Sequence, residues 1–223
     1  MLLLGIDTSG KQGSIALAEG DAERFSVLEV VPISGGTFSA QLIPQVAELL
    51  IKHKRDKKDL GGFAAASGPG SFTGLRVGLA AVKALAEVLQ KPIAAVSVLE
   101  AMAAVSGRTG RALAVLDASR QEVFAGEYDV GSELQLVGEW LLTQEEFLLR
   151  AGSGVQVVVC EDAIANLLPA RGMAATRIER PRSDAIARLG LRKILAGQTV
   201  SVEALDANYL RRSDAEIFSA KQP

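Results

Sequence analysis

The stretch S-G-P-G-S-F-T-G-L-R-V-G, Ser67 to Gly78, decides how the rest of the chain is read. It opens where a small-residue apolar run, Gly62 to Ser67, reads as a strand. Gly68, Pro69 and Gly70 force a tight turn at the end of that strand. Ser71 or Thr73 then suits a helix cap, because a hydroxyl accepts the first free backbone N–H groups. Gly74 to Gln90 reads as the helix itself. A loop of this kind can hold a phosphate or carboxylate at the helix N-terminus. It can equally be a plain strand-to-helix turn, and both readings are open. It is neither a Walker loop nor a dinucleotide fingerprint, since no Lys-Ser/Thr follows at the right spacing and G-x-G-x-x-G is absent.

The helix that follows has an unusual composition. Gly74, Gly78 and Ala81 fall at i, i+4 and i+7, and each interior glycine costs about 1 kcal/mol relative to alanine. Close approach of another helix offsets that cost. Leu75, Leu79, Val82, Leu85 and Val88 cover much of the remaining surface, while Arg76, Lys83 and Glu87 share one face. A helix this apolar belongs in a core or at a subunit interface, and the interface is the preferred reading.

Outward from this stretch the pattern alternates. Leu2 to Ile6, Ser14 to Ala18 and Phe25 to Val31 are apolar runs divided by turn residues, with the third closing at Pro32. They read as three strands joined by tight turns. Ser39 to about Lys52 shows helical spacing, with Ile43, Val46, Ala47 and Leu50 on one stripe. Pro92 to Val98 is a strand, Leu99 to Val105 helical, and Gly107 to Arg111 a polar connector. The second half begins as the first does, with an apolar run, Ala112 to Leu116, ending in an aspartate, Asp117. Glu122 to Val130 and Leu134 to Leu142 supply two strands. Thr143 with Glu145 and Glu146 marks a helix start. Val155 to Cys160 is a buried strand, Ala163 to Leu168 a short helix, and Ser183 to Leu195 an amphipathic helix stopped by Gly197. Two apolar strands that each end in Asp suggest an internal duplication, and the pattern predicts α/β halves with a mixed sheet in each. The expected boundary divides residues 1–107 from 108–223.

Composition narrows the function. The chain has 223 residues, 48% of them hydrophobic, which provides for a substantial core. A formal charge of -2 carries no whole-chain signature of an autonomous nucleic-acid binder. The single cysteine, Cys160, excludes an internal disulfide and reads as inert core. The N-terminal apolar run breaks at Gly5 and Asp7, short of the roughly 20 residues that span a bilayer. The expectation is a cytoplasmic protein without membrane contact.

Asp7 and Asp117 stand at strand ends, where carboxylates of a kinase-like fold hold hydrated magnesium against nucleotide phosphates. Turn-forming aspartate is the competing reading, and for Asp117 no glycine follows to admit a phosphate. With Thr8, Ser67, Gly68, Gly70, Ser71 and Thr73 they form the set of candidate nucleotide or phosphate contacts. His53 is the one histidine, so a His-based metal pair is excluded. It lies in K-H-K-R-D-K-K-D, Lys52 to Asp59, which either touches RNA phosphates or is a solvated helix end. No catalytic or metal-binding residue is assigned.

The residues G-P-G-S-F-T-G, Gly68 to Gly74, resemble the signature of the bacterial TsaB (YeaZ) family. The resemblance continues through L-G-I-D-T-S at Leu4 to Ser9 and A-Q-L-I-P at Ala40 to Pro44. It extends through V-L-D-A-S-R-Q-E-V-F at Val115 to Phe124 and the terminal Y-L-R-R from Tyr209. It implies a duplicated actin-like, sugar-kinase-like (ribonuclease H-like) fold. It also implies a non-catalytic partner subunit for the transfer of threonylcarbamoyl to tRNA adenosine beside the anticodon. The implied partners are a metal-bearing TsaD-type paralogue and a TsaE-type ATPase, with a homodimer when the chain is alone and tRNA reached only through the complex. No cofactor is intrinsic; ATP or ADP with magnesium is expected at a heteromeric interface. The family pairs through its first two helices, here about Ser39 to Lys52 and Gly74 to Gln90. The corresponding contact residues are Gln41, Leu42, Gln45, Leu49, Gly74, Leu75, Val77, Gly78, Ala81, Val82 and Leu85.

There are departures. Phe38 stands where many members have histidine, and an aromatic there enlarges an apolar contact. A glycine-rich turn of the fold's nucleotide pocket is missing around Cys160-Glu161-Asp162. The alternative is an actin-fold ATPase or small-molecule kinase acting alone through Asp7, Asp117 and the Ser67–Thr73 loop. A peptidase, the third reading, finds neither a triad nor a metal pair.

Overall fold

The computed structural model describes residues 1–210. The chain builds two five-stranded mixed sheets of identical plan. The first contains β1 (Leu2–Asp7), β2 (Gln12–Gly20), β3 (Phe25–Ser34), β4 (Leu60–Gly68) and β5 (Ile93–Ser97), with helices α1 (Phe38–Lys52), α2 (Phe72–Leu89) and α3 (Val98–Val105). The second contains β6 (Gly110–Ser119), β7 (Glu122–Val130), β8 (Leu134–Thr143), β9 (Gln156–Val159) and β10 (Ala175–Arg177), with α4 (Gln144–Ala151) and α5 (Asp162–Ala165), and α6 (Ser183–Leu195) follows in the chain. The strand orders β3-β2-β1-β4-β5 and β8-β7-β6-β9-β10 correspond position for position. In each, two antiparallel pairings precede two parallel ones. This is the duplicated actin-like, ribonuclease H-like plan. The two strand-terminal aspartates share a construction as well. Ser9 N donates to Asp7 Oδ1, and Ser119 N donates to Asp117 Oδ1, both at 2.8 Å.

The chain divides into two compact units, but not at one point near residue 107. One unit is Met1–Ala101 with Pro181–Ala207; the other holds Met102–Arg180 and, among the described residues, 208–210. The physical reason for this correction is α6. It lies in the second half of the sequence, yet it packs across β1, β2, β4 and β5 of the first sheet. Gly190 allows the approach, because a Cβ there would lie 2.2 Å from Ala64 Cβ. Gly5 does the same from the strand side, since its Cβ would fall 2.4 Å from Ser183 O.

On the opposite face of that sheet, α1 and α2 cover Leu4, Ile6, Ile15, Leu17 and Phe63. The buried stripe of α1 is Phe38, Leu42, Val46, Leu49 and Leu50. This differs from the expected stripe: Ile43 and Ala47 are exposed, and the helix is rotated about its axis relative to the sequence reading. β3 runs on through Pro32 to Ser34 because it is an edge strand, where a missing N–H leaves no ladder bond unmade. The second unit has its own core, built on Leu113, Val115, Val123, Phe147, Val157 and Ile164. There α4 starts at the predicted place. Thr143 Oγ1 accepts from Glu146 N, and Glu146 reaches back to Thr143 N. Arg211 and Arg212 of the Y-L-R-R segment lie outside the described residues.

Candidate functional site: the glycine loop and the helix layer

Strand alternation assigns the residues at the end of β1 to different faces. Thr8 falls on the α2 side, and its Oγ1 donates to Gly74 O at 2.8 Å. Asp7 pairs in register with Ser14. The Ser14 hydroxyl accepts from Ser183 N, 3.0 Å away at the start of α6, so Asp7 belongs to the α6 side. Its carboxyl is buried, with 3% exposure, one residue pair from the positive end of that helix. The structure therefore brings Thr8 onto the glycine loop and sets Asp7 on the other face of the sheet.

The loop closes on the β1–β2 turn. Ser71 N donates to Ser9 O at 2.7 Å, and the Ser71 side chain caps α2 by accepting from Gly74 N. Three glycines leave room for this. A Cβ would come within 2.2 Å of Ser9 O at Gly70, 2.1 Å of Thr8 O at Gly74, and 2.2 Å of Thr8 Oγ1 at Gly78. The closest approach to the helical glycines is thus that of Thr8 within the same chain, at both Gly74 and Gly78. Ser9 was missed from sequence; its role is carried by its backbone oxygen, which leaves no mark on residue choice. Phe38 is also part of this seam. Its ring lies where a Cβ at Gly13 would be 2.7 Å away and one at Gly74 3.3 Å away, so the aromatic is seated inward. Ser67 and Gly68 are buried, Gly70, Ser71 and Thr73 exposed, and the Gly68–Pro69 peptide is cis.

Two of the amides that a phosphate would need, those of Ser71 and Gly74, already serve Ser9 O and Ser71 Oγ. In the second unit, Asp117 stands exposed at the corresponding strand end. Its backbone N donates to Glu161 Oε2 at 2.6 Å. Glu161 follows β9 where the first unit has the turn Gly68-Pro69-Gly70 at the end of β4, so a carboxylate replaces the glycine turn and repels a phosphate. Burial pushes the Cys160 thiol above its ordinary range. Among the described residues no group of three or more His, Cys, Asp or Glu side chains is placed to hold a metal ion.

The expected partner-contact residues separate by exposure. Leu42, Leu49, Gly74, Leu75, Gly78 and Val82 are buried in the chain's own core, whereas Gln41 is exposed and Gln45, Val77, Ala81 and Leu85 are half-buried. The outer side of the layer carries other residues. Ile43, Ala47 and Ile51 lie at i, i+4 and i+8 on α1, with Ile43 48% and Ile51 75% exposed. On α2 the exposed row is Phe72, Arg76, Ala80, Ala84 and Val88, with Val88 77% exposed and Arg76 over the Phe72 ring at 3.7 Å.

The basic run at the end of α1 is interleaved with acid. Lys52 and His53 both meet Glu29, at 2.6 and 2.8 Å, and Arg55 meets Glu19 at 3.0 Å. Asp56 and Asp59 form a capping box on a short 3-10 turn. No helix among the described residues is long and apolar enough to cross a membrane.

Comparison with known proteins agrees with this architecture. Residues 30–216 match the family model described as "TsaD: tRNA N6-adenosine threonylcarbamoyltransferase". The "tRNA threonylcarbamoyladenosine biosynthesis protein TsaB" of Bacillus subtilis is 31% identical over 229 residues, covering 97% of this chain and 96% of that protein. The protein of the same name from Escherichia coli is 28% identical over 227 residues, covering 96% of each. The solved structure "YeaZ from Pseudomonas aeruginosa" superposes with a TM-score of 0.78 at 27% identity, across 94% of this chain and all of that one (100%). By near-full-length similarity in sequence and in fold, the chain belongs to the TsaB (YeaZ) family.

Proposed function

We propose that the chain serves in the biosynthesis of threonylcarbamoyladenosine on tRNA as a non-catalytic subunit, docking on a TsaD-type paralogue through the outer side of the α1–α2 layer. The pathway comes from the names carried by its relatives. The observation that carries the docking role is the exposure of two apolar rows, Ile43, Ala47 and Ile51 on α1 and Ala80, Ala84 and Val88 on α2. Large aliphatic side chains left this open to water along two adjacent helices fit a protein partner. Alone, the same rows close on a second copy. In the assembly, a TsaE-type ATPase acts on the pair.

The loop supports a structural rather than a chemical role for this chain. Its amides are directed at Ser9 O and Ser71 Oγ, and Glu161 sits beside Asp117. These groups do not fit an ATP phosphate chain with magnesium, so nucleotide is assigned to a heteromeric interface and no step is routed through it. Reconstitution tests the reading, with threonylcarbamoyl adenylate and a tRNA transcript as substrates. The expected result is transfer with chain and paralogue together and none with the chain alone. Transfer by the chain alone overturns it. Magnesium-dependent phosphate release by the chain alone, lost in Asp7→Asn, establishes the solitary ATPase instead.

A further inference from the structure

We propose that the outer face of α6 is a contact surface for the phosphate backbone of tRNA, with Arg188 and Arg192 as the contacting side chains. This rests on the reading that the chain works in an assembly whose substrate is tRNA. The helix is held rigidly, because glycines bring it to backbone distance of the sheet. Besides Gly5 and Gly190, a Cβ at Gly20 would lie 2.8 Å from Leu191 Cδ2, and one at Gly62 2.9 Å from Ile194 Cδ1. Ile186, Ala187, Leu189, Gly190 and Leu191 face inward, which leaves Arg188 and Arg192 exposed one turn apart.

The cations of this helix differ in their partners. Arg182 has Asp184 at 3.6 Å, and Lys193 has Glu100 at 2.7 Å. Arg188 and Arg192 have no carboxylate partner among the described residues. Arg188 is instead positioned over the Phe25 ring, 4.5 Å from its centroid. Asp21, on the neighbouring β2–β3 turn, turns its carboxylate to the backbone N–H groups of Glu23 and Arg24. The Lys52–Asp59 run, by contrast, meets Glu29 and Glu19 and includes Asp56 and Asp59. In a chain of net charge -2, a row of guanidinium groups without acid partners on a rigid helix is complementary to a polyanion. Two such contacts add to those of the paralogue through the shared assembly.

The test is binding of an unmodified tRNA transcript across a salt series, using the chain with its paralogue and the chain alone. Each phosphate contact contributes about 1 to the slope of log K against log salt. The double variant Arg188→Gln, Arg192→Gln is expected to lower the slope of the wild-type assembly by about 2 and to weaken binding, with the heterodimer intact. Arg188→Lys with Arg192→Lys restores the slope. An unchanged slope and affinity overturns the proposal. So does loss of the heterodimer in the Gln variant, which makes α6 a protein contact, or absence of tRNA binding by both wild-type forms. Failure of the docking reading is seen separately, as no heterodimer with the wild-type chain; the same slope comparison then decides on the chain alone.

Discussion

Gly78→Ala separates an intrachain from an interchain explanation of the glycine row in α2. At an open helix position the change stabilises by about 1 kcal/mol, because alanine is the better helix former. Here the new Cβ would lie 2.2 Å from Thr8 Oγ1. Thr8 must rotate away and give up its 2.8 Å bond to Gly74 O inside the protein. A buried hydroxyl left without its partner costs about 1–3 kcal/mol. Crowding in a packed site costs about 1–3 kcal/mol more. Set against the helical gain, the expected net effect is a destabilisation of about 3 kcal/mol. Urea unfolding measures it. The double variant Thr8→Ala, Gly78→Ala removes the oxygen, so it should be about 2 kcal/mol more stable than the sum of the single effects. The refuting result is a stabilised Gly78→Ala protein that binds its paralogue less well. That would mean the glycine is kept for a second helix.

Three further outcomes are expected. Ile51→Asp with Val88→Asp leaves unfolding within about 0.5 kcal/mol of wild type, as for exposed positions, but weakens association with the paralogue at least tenfold in a titration, a loss of about 1.4 kcal/mol or more. Gln90→Gly stabilises by about 1 kcal/mol in urea, because Gln90 ends α2 at φ 53, a left-handed position that suits glycine. Lys52, then His53, hold the Glu29 carboxyl below its ordinary value of 4.5. Its contribution to stability is therefore present above that value and is lost as pH falls through the lower folded value, so an acid titration of Glu29→Gln should lack this part of the wild-type decline.

The two-fold repeat was legible because each half announces itself by an apolar strand ending in Asp. The boundaries of β7 and α6 are those that the pattern predicts. What was hidden has particular causes. α1 is apolar on two sides, so periodicity finds both Val46–Leu50 and Ile43–Ala47 and cannot say which faces the sheet. The glycines of α2 record that something comes close, but Thr8 is distant in sequence and nothing local names it. Strand β10 has only three residues, too few for an alternating signal. The return of α6 to the first sheet is a long-range choice made by Gly5 and Gly190, whose small size reads in sequence only as a weakness. At the loop, the turn and the Ser71 cap were legible, while the occupation of its amides by Ser9 was not, since any residue supplies a carbonyl.

On the proposed reading, the outer side of the α1–α2 layer is a docking face for a TsaD-type paralogue. Molar mass by light scattering on a sizing column tests it most directly, for the chain alone and for an equimolar mixture with that paralogue. The expected result is a homodimer that converts to a one-to-one heterodimer, and a conversion that the Ile51→Asp, Val88→Asp variant fails to make. A monomer whose mass does not change on adding the paralogue would contradict it.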